Sequence, residues 1–326
     1  MPRLWQRDGW ASRLLAPLAV VHAGVVAARR RAYRAGWLRS VRSAVPVVVV
    51  GNITVGGTGK TPLVTWLVEL LRDAGWSPGV VARGYGGRAG DGPLAVTEAT
   101  DPAQAGDEPV LLARRLPGLP VVVGRDRPAA VRAAYEDHGC DIVLSDDGLQ
   151  HYRMVRDAEI VVVDGERWLG NGRLLPAGPL REPPSRLLEA DIVAVHGTSV
   201  PGCHGSFRLR PGTPRPVDGR ERAWPGGAVH AVAGTGHPDR FFATLAESGI
   251  AVRSCHRLPD HHAFRASDLE LEGEAPIIMT EKDAVKCQRL PGAERAWYLP
   301  VSIDPDAGLV ASVRELIGRL AGGGAA

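Results

Sequence analysis

The run Thr54-Val55-Gly56-Gly57-Thr58-Gly59-Lys60-Thr61 has the residue types needed to hold a nucleoside triphosphate. Its glycines let backbone N–H groups turn inward toward phosphate oxygens. Lys60 would reach the β- and γ-phosphates, and the Thr61 hydroxyl would ligate Mg²⁺. The surroundings are those such a loop requires. Val47 to Val50 reads as a buried strand leading in, and Leu63, Trp66, Leu67, Leu70 and Leu71 form one apolar helical stripe leading out, stopped by Gly75. The usual pattern opens on glycine. Here that position is Thr54, with Gly56 and Gly57 left to supply the flexibility.

A second constellation lies at Asp141 to His151, where a hydrophobic strand ends in Asp146 and Asp147. Asp and Gly favour strand-end turns on their own account. Downstream of a phosphate loop, carboxylates at this place point to Mg²⁺. Other clusters admit two readings. Asp107, in Gly106-Asp107-Glu108-Pro109, reads as a helix cap or as a catalytic base, and from spacing alone the cap is favoured. Asp260-His261-His262 suits proton transfer or a solvated turn. Arg83, Arg125 to Arg127 and Arg181 could hold anionic groups or simply decorate loops. Lys282 and Lys286 are two of only three lysines among 39 basic residues, Lys60 being the third. At i, i+4 they could meet phosphate or form surface pairs with Glu281 and Asp283.

These residues need a scaffold, and the chain supplies the pattern of one. Val/Ile-rich segments at Val47–Val50, Gly79–Ala82, Pro120–Val123, Asp141–Leu144, Glu159–Val163 and Asp191–Val195 are nearly continuous in apolar character, as in strands covered on both faces of a parallel sheet. Pro201 to Gly227 is rich in Pro, Gly and Arg, and a second αβ pattern follows: strands at Val229–Ala233, Pro276–Met279 and Trp297–Val301, helices at Pro238–Ser248 and Leu309–Leu320. The expected fold is α/β, with a mostly parallel phosphate-loop domain and a second, smaller α/β domain. The expected divisions are 1–40 for a basic amphipathic segment, 41–200 for the nucleotide-binding domain, 201–227 for a linker or small hairpin and 228–326 for the second domain.

The first 42 residues carry nine arginines and one acid, Asp8, although the whole chain is only +3. Such an arm implies an anionic surface as partner. Its apolar run, Leu14 to Ala28, is interrupted by Pro17, His22 and Gly24 and falls short of the ~20 residues that span a bilayer. Leu14, Leu15, Leu18, Val21 and Val25 recur at helical spacing, which fits either a helix lying on anionic lipid or a core-packed helix with a basic end. Aromatic interleaving is limited to Tyr33 and Trp37, which argues against nucleic acid. The four cysteines are scattered without a CxxC pair, giving no zinc site and reduced thiols.

Taken together, the motifs closely resemble the tetraacyldisaccharide 4′-kinase family of Gram-negative bacteria. The resemblance runs through GlyAsnIleThrValGlyGlyThrGlyLysThrPro at 51–62, ValAlaArgGlyTyrGlyGly at 81–87, GlyAspGluPro at 106–109, AspAspGlyLeuGlnHis at 146–151, LeuProAlaGlyProLeuArgGlu at 175–182, AspHisHis at 260–262 and ThrGluLysAsp at 280–283. Threonine at the position of Thr54 is shared with that family. The sequence departs from it at 233–238, where AlaGlyThrGlyHisPro stands in place of AlaGlyIleGlyAsnPro. The resemblance implies ATP-dependent phosphorylation of the 4′-hydroxyl of tetraacyldisaccharide 1-phosphate to give lipid IVA, at the cytoplasmic face of the inner membrane and with no obligate protein partner. It implies two α/β domains joined by a short β linker, with the active site in the cleft. It implies Asp107 as catalytic base, His261 as its partner, and Asp146, Asp147 and Glu182 as Mg²⁺ and active-site acids. The rival reading is a membrane-associated ATPase switch with a deviant phosphate loop, but its signature lysine is replaced here by Val55. A GTPase is opposed by the lack of an Asn-Lys-x-Asp motif at a strand end.

Overall fold

The computed structural model describes residues 5–88, 90 and 92–323; the first four residues of the basic arm lie outside it. Helices α1 (Trp10–Leu14) and α2 (Ala16–Arg34) precede β1 (Val47–Gly51) and α3 (Lys60–Asp73). Next come β2 (Pro78–Ala82), β3 (Leu94–Val96), α4 (Pro102–Ala105), α5 (Asp107–Arg115), β4 (Val121–Val123) and α6 (Arg127–Glu136). They are followed by β5 (Ile142–Asp146), β6 (Ala158–Asp164), β7 (Ile192–His196), β8 (Gly205–Pro211) and β9 (Arg215–Pro216). The remainder is β10 (Val229–Ala233), α7 (Pro238–Glu247), β11 (Val252–Arg257), β12 (Ile277–Thr280), α8 (Glu281–Cys287), β13 (Ala296–Leu299), β14 (Val301–Pro305) and α9 (Ala307–Gly323).

The strands form two sheets. The larger has nine, in the order β14-β8-β7-β6-β1-β5-β2-β4-β3, and the smaller has five, β11-β10-β12-β13-β9. Only the edge strands β14, β3 and β9 run antiparallel to their neighbours. Strand β1 lies at the centre of the large sheet, buried along its whole length. Its side chains alternate between two cores. Val48 and Val50 meet Leu63, Val64 and Leu67 of α3, whereas Val47 and Val49 share the opposite core with Ala130, Val131 and Ala134 of α6. Burying each such aliphatic side chain contributes ~1.5–3 kcal/mol, which explains why these strands read as continuous apolar runs.

Three expectations are corrected. The expected strand Trp297–Val301 is two strands: β13 belongs to the small sheet and β14 to the large one, parted at Pro300. The second domain therefore does not run to the end of the chain. From Val301 onward the polypeptide is back in the large sheet, and α9 buries Leu309, Val313 and Leu316 in that sheet's core. The stretch 201–227 links the two domains but forms no hairpin of β8 with β9, since it gives β8 to one sheet and β9 to the other. The two strand-to-strand crossings, at 212–214 and at Pro300, lie side by side, with the Gly212 N–H donating to the Pro300 carbonyl at 2.8 Å.

At the other end, α1 and α2 dock along one edge only. The Ser12 hydroxyl donates to the Ala177 carbonyl at 2.7 Å, and Arg30 and Arg34 both bind Glu189. Leu14, Leu18, Val20, Val21 and Val25 remain exposed, so the core-packed reading of this helix does not hold. Among the described residues, no helix is long and apolar enough to cross a membrane.

If α9 is part of the large domain's core, Leu309→Ala should destabilise that domain. Emptying a fully buried leucine site costs ~2–5 kcal/mol. Urea unfolding should show the loss in the nucleotide-binding half, and a loss confined to the small sheet would contradict the placement.

Candidate active site

The phosphate loop joins the C-terminal end of β1 to α3. Its first residue, Thr54, forms an antiparallel bridge with Leu180, and the Val55 N–H donates to the Pro179 carbonyl at 2.9 Å. That extended backbone suits threonine, so no glycine is needed there. The left-handed turns fall instead at Gly56 (φ 101°) and Gly59 (φ 88°), where a side chain would be strained. Lys60, the first residue of α3, places its Nζ 3.2 Å from Asn52 Oδ1 and 3.4 Å from Asp147 Oδ1. Thr61 follows it in the first helical turn.

Asp146 and Asp147 end β5, the neighbour of β1, and so lie beside the loop. Their environments drive them apart. Asp146 is buried and faces Glu108, and its carboxyl is pushed up to about 7 despite Lys60 and Arg127. Its Oδ1 is buried without a hydrogen-bond partner. Asp147 is exposed, and Lys60 and a two-pronged contact from Arg181, 3.2 Å to each oxygen, hold it at about 2. An unpartnered buried carboxylate oxygen next to a phosphate loop fits a divalent cation, whose charge would favour the ionised form.

Glu182 stands apart from this pair. It is 1% exposed, it accepts from Gln150 Nε2 at 3.0 Å and from the Tyr152 hydroxyl, and its Oε2 forms an ion pair with Arg186 Nε at 3.4 Å. Gln150 also donates to the Asn52 carbonyl at 3.3 Å, so Glu182 braces the loop from behind. Among the described residues, no three His, Cys, Asp or Glu side chains are grouped to hold a metal ion.

The large and small sheets meet through α5 and α8, and Asp107 lies at the junction. The N-cap of α5 is Gly106, and Asp107 is the first helical residue, 5% exposed. The cap reading is thus displaced by one residue, although Asp107 Oδ1 still accepts the Glu108 N–H at 3.0 Å. Its Oδ2 lies 3.1 Å from His261 Nδ1, 3.9 Å from Lys282 Nζ and 3.7 Å from Lys286 Nζ. Burial opposes ionisation, but His261 and the two lysines outweigh it and hold the carboxyl below its ordinary value. In return, the hydrogen bond to Asp107 raises the His261 imidazole. His261 has φ 58°, and its ring lies 5.0 Å from that of Tyr85. Lys282 binds Glu108 at 2.9 Å, and its pKa is raised. Asp283, fully buried, binds Lys286 at 2.9 Å and the Gly234 N–H at 2.9 Å, tying α8 to the loop after β10.

All three lysines of the chain therefore serve this site, which the sequence only hinted at through their rarity. Other residues contribute from outside these clusters. Arg127 is buried, with Nη2 donating to the Asp146 carbonyl at 2.7 Å, and burial lowers its pKa to about 10. Asp164, at the end of β6, binds Arg167 and, from α7, Arg240. Asn52 and His196 touch the phosphate loop directly.

The chain matches the family model for tetraacyldisaccharide-1-P 4′-kinase over residues 11–318. A protein of Halorhodospira halophila described as tetraacyldisaccharide 4′-kinase is 62% identical over 320 residues, covering 98% of this chain and 97% of its own length. One of the same description from Alkalilimnicola ehrlichii is 52% identical over 312 residues, covering 94% and 93%. Among solved structures, the "apo" form of LpxK from Aquifex aeolicus in complex with ATP superposes with a TM-score of 0.79 at 29% identity, covering 95% of this chain and 99% of that one.

The Asp107–His261 geometry makes a prediction that needs no substrate. The lowered carboxyl stabilises the fold above the ordinary carboxylate range, and that contribution is lost as pH falls through its lowered pKa. The raised imidazole stabilises it below the ordinary histidine value, and that contribution is lost as pH rises through its raised pKa. In Asp107→Asn, the His261 titration followed by NMR should move down. An unmoved midpoint would separate the two groups.

Proposed function

This chain belongs to the tetraacyldisaccharide-1-P 4′-kinase family, and from that premise we propose that it transfers the γ-phosphoryl group of ATP to the 4′-hydroxyl of tetraacyldisaccharide 1-phosphate, giving lipid IVA in lipid A biosynthesis. The observation that carries this reading is a phosphate loop in the same domain as an ionised carboxylate, Asp107, that is paired with His261 from across the interface between the sheets.

In this reaction a bond forms between the sugar oxygen and Pγ while the bond from Pγ to the β,γ-bridging oxygen breaks. The hydroxyl proton passes to Asp107. A carboxylate with a lowered pKa is a weak base and accepts the proton late in the transfer. His261 orients that carboxylate through Oδ2. Lys282 and Lys286 keep it ionised and aligned. Lys60 and the loop amides stabilise charge on the transferring group, which is the larger share of catalysis. Asp146, Asp147 and Thr61 are the residues that would hold Mg²⁺, which when bound neutralises charge on the phosphate oxygens. Glu182 acts instead as a brace for Asn52.

The exposed apolar face of α2, with basic residues at its C-terminal end, supports peripheral attachment to the anionic cytoplasmic face of the inner membrane. His22 Nε2 lies 3.4 Å from the Arg181 carbonyl, and Arg181 holds Asp147, so this helix borders the acids of the site.

Purified protein should move radiolabelled phosphate from ATP to tetraacyldisaccharide 1-phosphate in mixed micelles. Lys60→Ala should abolish transfer, and Asp107→Asn should lower kcat by about 10²–10⁴ with ATP affinity retained. ATP hydrolysis without lipid phosphorylation would sink the reading. Replacing Leu14, Leu18, Val21 and Val25 with serine should release the protein from vesicles of anionic lipid in flotation; undiminished flotation would leave α2 without a membrane role.

A further inference from the structure

Three donors from outside the phosphate loop hold its carbonyls in succession. Asn52 Nδ2 donates to the Gly56 carbonyl at 3.3 Å, Arg167 Nη2 to Gly57 at 2.7 Å, and His196 Nδ1 to Thr58 at 3.2 Å. In a trans peptide unit, the C=O and the following N–H point in opposite directions. Fixing these oxygens therefore fixes the N–H groups of Gly57, Thr58 and Gly59. Those three amides have no hydrogen-bond acceptor among the described residues. We propose that Arg167 and His196, with Asn52, are positioning residues that aim these amides at the triphosphate before it binds, and that Arg167 makes this aim depend on the small domain.

Each donor is itself held. Burial keeps His196 neutral, down at about 4, and its ring stacks on Phe207 with centroids 5.1 Å apart. A neutral imidazole has one N–H; the Thr58 carbonyl at 3.2 Å calls for it on Nδ1, where Arg240 Nη1 also stands, at 3.3 Å. Arg167 is anchored by Asp164, with Nε at 3.0 Å and Nη2 at 2.6 Å from Oδ2. Its Nη1 meets His237 Nε2, from the residue that caps α7 in the small domain. One planar guanidinium thus joins the end of β6, the phosphate loop and the small domain. An ammonium cannot match that fork. The contact also gives a role to His237, which stands where the family usually has asparagine, because an asparagine oxygen could accept from the same arginine.

A Gly-rich loop loses much conformational freedom when ordered, so fixing it in advance favours binding. The inference rests on the nucleotide-binding part of the proposed function, and its test is separable from lipid transfer. A fluorescent ATP analogue would be titrated into the wild type, Arg167→Gln, Arg167→Lys, His196→Phe, His237→Asn and His237→Leu, with steady-state kinetics in parallel. Losing one well-aimed amide contact to a charged phosphate should weaken binding about 10- to 100-fold. Arg167→Gln and His196→Phe should therefore raise KM for ATP by that factor, leaving KM for the lipid unchanged and restoring most of kcat at saturating ATP. Arg167→Lys should rescue little, and His237→Asn should bind more tightly than His237→Leu. Thermal melting identifies misfolding; if His196→Phe is lost that way, Arg167→Gln carries the test. ATP affinity within twofold of wild type in Arg167→Gln would overturn the proposal, as would equal losses in both substrates' KM. Wild-type nucleotide binding without lipid phosphorylation would refute the proposed function and leave the positioning role standing.

Discussion

A carboxylate that is 5% exposed cannot stay ionised without counter-charges, and Asp107 takes all of its charged partners from the small domain. Leaving such a charge buried and unpaired costs ~3–5 kcal/mol. The carboxylate therefore stays ionised only while α8 and the His261 turn face α5. Its ionisation and the contact between the two sheets are one electrostatic event. Lys282 adds to this by binding Glu108 and Asp107 together. Arg115 and Glu281 extend the same interface at 3.1 Å.

The acids at the end of β5 show the opposite arrangement. Asp147 receives Lys60 and Arg181 and is ionised, while Asp146, one residue earlier, keeps an unmatched oxygen and a raised pKa. Asp146 closes the strand while Asp147 turns out of it with φ 49°, so a doubled acid gives two distinct electrostatic states without added machinery.

The parts that could be read from the sequence were those whose chemistry is local. The phosphate loop, its strand and its helix are contiguous, and Asp146 and Asp147 follow a plainly apolar strand. Asp107 was ambiguous because its partners lie more than 150 residues away, at His261. Arg167 and His196 gave no signal at all, since contact with a loop carbonyl leaves no residue pattern. Strand β11 was missed because Val-Arg-Ser-Cys-His-Arg alternates half-buried and exposed positions with almost no aliphatic content. The run Trp297–Val301 misled because an apolar pattern records burial, not which sheet does the burying. Glu182 resembles the other acids in type, but its carboxylate is engaged by Tyr152, Gln150 and Arg186.

The side-by-side crossings at 212–214 and Pro300 have a mechanical consequence. Because both crossings lie at one place and are joined by a hydrogen bond, the small sheet is tethered to the large one along a single seam. A cavity of about 330 Å³ lined by Arg215, Pro300 and Glu281 lies beside that seam. His261 on Asp107 and His237 on Arg167 both reach across from the small sheet's side. Anything that repositions the small sheet therefore acts on both contacts at once.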